Sequence, residues 1–86
     1  MAEISRFRGI VIKLHFTDHP PPHFHAHYGS SRASFTIATG EVLAGSLPPR
    51  VRRLVLEWAE QHRGELAANW HRAEQRRALT RIAPLE

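Results

Sequence analysis

The sequence predicts an α+β domain: a small antiparallel sheet of three to four strands over about residues 8–45, two helices over about 49–77 packed on one sheet face, and a C-terminal tail at 78–86. Three observations carry this. Apolar residues alternate with polar ones as far as Ile37, they recur at spacings of three and four after Pro49, and Gly45-Ser46-Leu47-Pro48-Pro49 separates the two regimes.

The first strand is the run in which Ile10, Ile12, Leu14 and Phe16 alternate with Val11, Lys13 and His15. Asp18-His19-Pro20-Pro21-Pro22 ends it, because consecutive prolines have no amide donors and hold the chain extended. His23, His25 and His27 then alternate with Phe24, Ala26 and Tyr28. Beyond a turn at Gly29-Ser30, Arg32, Ser34 and Thr36 alternate with Ala33, Phe35 and Ile37. These runs are the second and third strands, and a turn at Thr39-Gly40 leads into a short strand over Glu41 to Ala44. From Pro49, a residue suited to a helix start, the stripe Val51, Leu54, Val55, Trp58, Ala59, His62 defines an amphipathic helix. Gly64 is the expected stop, and Leu66, Trp70 and Ala73 mark a second, shorter helix antiparallel to the first. Trp58 and Trp70 are expected in the core, and the segment Leu79 to Leu85 as an edge strand, a docked tail or a partner-binding tail.

At 86 residues the chain is one domain with a single core, small enough that oligomerisation, including a homo-oligomer, is a real option. A hydrophobic content of 42% with two Trp and four Phe is that of a folded chain. The absence of cysteine excludes disulfides and thiolate zinc sites. No apolar run approaches the ~20 residues that cross a bilayer, and the start lacks the apolar core of a secretory signal, so a cytoplasmic protein without a membrane is expected. Twelve basic residues, eleven of them Arg, stand against eight acidic ones, with seven His besides. That balance favours anionic partners, RNA among them, although high-GC composition would produce the same bias.

Sorted by parity, the strands give one apolar face of Ile10, Ile12, Leu14, Phe16, Phe24, Ala26, Tyr28, Ala33, Phe35 and Ile37. The other carries Lys13, His15, His23, His25, His27, Arg32, Ser34 and Thr36, with Val11 its one apolar member. If the helices cover the first face, the second is open to solvent or to a partner. Four readings of it stand side by side. It is a solvated exterior. Or it binds a divalent metal, for which His23 and His25, about 7 Å apart along the strand, are the pair, with further ligands from His15, Asp18 or His19, since the outer pair His23 and His27 is about 13 Å apart. Or it binds or cleaves RNA, with His23, His25 and His27 as acid and base candidates, Arg50 beside them as a phosphate-holding catalytic group, and Lys13, His15 and Arg32 on the nucleic acid. Or it binds a protein through the open face or an edge strand.

The segments Glu3-Ile4-Ser5-Arg6-Phe7, Gly9-Ile10, Asp18-His19, Pro21-Pro22-His23-Phe24-His25, Tyr28-Gly29, Leu47-Pro48-Pro49-Arg50 and Glu57-Trp58-Ala59 together resemble a bacterial domain of unknown function, number forty-one sixty. The resemblance covers essentially the whole chain and carries His23 and His25 within its motif. It implies a short protein encoded beside another small domain of unknown function, number twenty-four forty-two, an arrangement similar to type II toxin–antitoxin pairs. The function so implied is that of a toxin-like component acting on RNA through the His-rich face, with a small cognate antitoxin-like protein as partner. The alternative is a non-enzymatic binding module for protein or nucleic acid, with or without a metal at His23 and His25.

Overall fold

A computed structural model describes residues 2–16 and 18–86. Five strands, β1 (Ala2–Phe7), β2 (Ile10–Leu14), β3 (His23–Tyr28), β4 (Ser31–Thr36) and β5 (Val42–Ser46), precede two helices, α1 (Pro49–Gln61) and α2 (Arg63–Glu74). The strands form one antiparallel sheet in sequence order, β1-β2-β3-β4-β5. The α+β class holds, and the sheet has one strand more than the sequence suggested.

The added strand is β1. Its apolar residues Ile4 and Phe7 are three apart, a spacing that does not fit a strand. A bulge between Glu3 and Ser5 shifts the register so that Ile4, Ser5 and Phe7 are all buried. Arg8 and Gly9, both at positive φ (48° and 78°), make the two-residue turn into β2, the backbone that matches the twist of a hairpin. A second bulge, between Ser34 and Phe35, interrupts the pairing of β4 with β5, which runs two residues further than expected. Gly45, at φ 75°, is required there: a Cβ would collide with the backbone carbonyl of Arg32.

Helix α1 starts as expected, with Pro49 at its first position after Pro48. Gly64 does not stop it. The break falls at His62, and Gly64 lies in the first turn of α2. Helix α2 ends at Glu74, three residues earlier than the sequence suggested. Arg76 adopts a left-handed conformation (φ 57°), its N–H donates to the Ala73 carbonyl and the Arg77 N–H to that of Arg72, a Schellman-type ending made without glycine.

The apolar strand face joins Val51, Val55, Trp58, Ala59, Leu66 and Trp70 in one core. Trp58 is its centre, fully buried between the rings of Phe7 and Phe24. Its Nε1–H donates to the carbonyl of Ala83 (2.8 Å). The tail is therefore docked: Ile82 and Leu85 are buried, the Ile82 N–H donates to the Ile4 carbonyl, and Asn69 grips Thr80 by both backbone groups (2.7 and 2.9 Å). A fully buried Asn is stable only when so satisfied, and Asn69 replaces a missing strand partner for the tail. Phe16 departs from the expected face. It lies past the end of β2 at 38% exposure, outside the core, because the pairing with β3 stops at Lys13.

Candidate functional site

The register of β2, β3 and β4 builds the open face in rungs. Lys13 stands opposite His25 and His25 opposite Ser34, Val11 opposite His27 and His27 opposite Arg32, and His23 opposite Thr36. Directly paired residues share a face, so the period of two that buries Phe24 and Ala26 projects the three strand histidines to the other side.

Beyond the end of β2 the chain turns back, and the proline connector brings Asp18 over the start of β3. The connector is held at its far end, where the Ile37 N–H donates to the Pro22 carbonyl (3.0 Å). Asp18 Oδ2 lies 3.0 Å from His23 Nε2 and 3.4 Å from His25 Nε2. Its Oδ1 accepts the backbone N–H of His19 at 2.9 Å. His23 Nδ1 donates to the Pro21 carbonyl at 2.7 Å, which fixes that ring, and its other side rests 5.4 Å, centroid to centroid, from the ring of Trp70. His15 closes the group, its ring edge-on to His25 at 4.1 Å. The donor atoms of His15, Asp18 and His25 all lie within 4.8 Å of one another, and all three residues are half-buried.

Burial works against ionisation of Asp18, but the His19 N–H, the hydrogen bond from His25 and the nearby His23 and His15 outweigh it and hold the carboxyl below its usual range. His25 is pushed down by burial and by the charge of His15 and His23, against the pull of Asp18. His27 is pushed down by burial, then by Lys13, Arg32 and His15.

The residues singled out in the sequence thus divide into three places. His15, His23 and His25 assemble around Asp18. His25, His27 and Arg32 line a cavity of about 210 Å³ with Ala33, Ser34, Ala44 and Gly45, and Lys13 stands on the same face beside His25. Arg50 belongs to neither. It lines a separate cavity with Arg8, Tyr28, Val51 and Leu54, where α1 begins, so its grouping with the histidines is not realised. Tyr28 lies in that second cavity as its parity required. His19 contributes only its backbone to Asp18. The pivotal role of Asp18 was visible only as one option among several, because the path of a triple-proline connector cannot be read from periodicity. The contact between Trp70 and His23 left no signal in the sequence.

Residues 9–71 match the family described as Domain of unknown function (DUF4160). The chain belongs to this family. No curated protein and no solved structure matches the chain. The DUF4160 match takes in β2 through most of α2, and with them Lys13, His15, Asp18, His23, His25, His27, Arg32 and Arg50. The first strand and the docked tail, which hydrogen-bond to each other, lie outside it.

Proposed function

We propose that this DUF4160 protein is the toxin-like component of a bacterial type II toxin–antitoxin module and that it acts by holding RNA on the open sheet face. The observation that carries the reading is the placement of two cationic side chains, Lys13 and Arg32, on either side of His25 and His27 on the sheet face opposite the buried core. Phosphate binding to such a face releases counterions and needs no sequence match. Imidazole rings between the cations offer edges that hydrogen-bond to phosphate or a 2′-hydroxyl and faces on which an unpaired base stacks. The cavity beside them, floored by Ser34, Ala44 and Gly45, gives one nucleotide somewhere to sit.

The partner in this reading is a small cognate antitoxin-like protein that covers the face or its edge. Strand β5 supports that choice. It is one of the two outer strands, exposed throughout, and it presents Val42 at 44% and Leu43 at 45% exposure. An edge strand with apolar side chains is a surface on which a partner chain adds a strand. The protein is expected in the cytoplasm, where an RNA target is found.

Growth after induction tests the reading, with and without the adjacent gene, for the wild type and the Lys13→Gln, Arg32→Gln double variant, each shown to be folded and in solution. Arrest by the wild type, relief by the neighbour and loss of arrest in the folded variant are the expected results. Unaltered growth with abundant folded wild-type protein would contradict it and favour the non-enzymatic protein-binding module.

A further inference from the structure

We infer that His15, Asp18 and His25 bind one divalent transition-metal ion of the zinc type, with the fourth position left to water. The inference does not depend on the RNA reading, although His25 belongs to both, because it is carried by the donor set and its geometry.

The donor set comes first. Two imidazole nitrogens and a carboxylate oxygen are the ligands that zinc and its neighbours take, and three such side chains leave a position for a fourth donor or for water. An ion held at about 2.0–2.2 Å from each donor keeps any two of them within about 4.4 Å of each other. The donors of His15, Asp18 and His25 already lie within 4.8 Å of one another, close to that limit. They come from three directions: the end of β2, the returning connector and the outward side of β3.

The surroundings orient these donors as outer partners do in metal sites. One carboxylate oxygen of Asp18 is taken by the His19 N–H, and the other is turned towards both His23 and His25. His23, held at Nδ1 by the Pro21 carbonyl, places Nε2 3.0 Å from Asp18 Oδ2 and so orients the carboxylate from outside the donor set. Arg32 stands opposite His27 and would repel a dication there, whereas the carboxylate of Asp18 lies beside His23 and His25, so the ion belongs at the Asp18 end.

The test uses the full chain without an affinity tag, freed of metal by a chelator and titrated with zinc chloride in a non-chelating buffer. A Co²⁺ titration of the unmodified chain gives a readout independent of any variant. The expected result is one zinc per chain with micromolar or tighter affinity and ordered d–d absorption from cobalt that zinc displaces. Asp18→Asn and His25→Ala, each checked for folding by circular dichroism, should weaken binding at least about tenfold. His27→Ala and His71→Ala should leave it unchanged. Several weak equivalents, a featureless cobalt spectrum, or a loss in His27→Ala or His71→Ala equal to that in Asp18→Asn would each overturn the inference and leave adventitious imidazole binding only.

Discussion

Strand β3 carries two different kinds of residue in one stretch of chain. Phe24 and Ala26 are fully buried against Trp58 and its neighbours, while His23, His25 and His27, one position away, keep part of their surface on the other side of the sheet. The first set is interchangeable chemically and constrained in volume. The second is tolerant in volume and constrained in chemistry, because each ring has its own neighbour: Asp18 for His23 and His25, and Arg32 opposite His27. The difference teaches that the fold and the site should fail separately, and substitutions can be chosen to separate them.

The largest effect is expected on the buried side. Phe24→Ala removes a ring stacked on Phe35 and edge-on to Trp58, and should cost about 3–5 kcal/mol, read by thermal or urea unfolding. A variant that unfolds no more readily than the wild type would mean that the helices do not cover this face. Next comes Gly45→Ala, which forces a Cβ against the Arg32 carbonyl at a left-handed backbone position and should cost about 1–3 kcal/mol. It should also displace β5 from β4 and weaken whatever occupies the cavity they share. Asn69→Ala, which leaves the Thr80 backbone groups without partners, should cost about 1–3 kcal/mol and expose the tail to limited proteolysis.

The smallest stability effects sharpen the comparison from the other side. His27→Ala should change stability by less than about 0.5 kcal/mol, because its position is half-exposed and outside the core. Glu3→Gln isolates an edge contact. The hydrogen bond from Arg6, aided by Arg81, holds the Glu3 carboxyl at about 2, against its ordinary 4.5. The unfolded chain therefore binds the proton first as acid is added, so the contribution of Glu3 is complete above its ordinary range and is lost as pH falls towards 2. The melting temperature of Glu3→Gln should converge on that of the wild type over that window, and a constant gap between them would show that Glu3 acts through something other than its charge.

The comparison also explains what the sequence could show. The alternation over 10–14 and 23–37 sorted every described strand residue onto its correct face except at the ends, where Phe16 outran the pairing. It missed β1 because a bulge breaks the period of two, and bulges follow from pairing rather than from composition. It read Gly64 as the stop of α1 because glycine usually is one, whereas α1 breaks at His62 and Gly64 lies in the first turn of α2. Of the site, the pair His23 and His25 and the cations Lys13 and Arg32 were legible by parity. Arg50 was misplaced because sequence says nothing about which end of the sheet a helix start reaches, and Asp18 gained its place from the proline connector's path.

Lys13 and Arg32 are proposed to hold RNA on the open face. The most direct measurement is the affinity for a short single-stranded RNA at a series of salt concentrations, for the wild type and for Lys13→Gln and Arg32→Gln singly and together. The account predicts binding that weakens steeply with salt, a slope that falls by about 0.7 for each cation removed, and an unchanged melting temperature. A salt slope that is the same in the wild type and the double variant would contradict it.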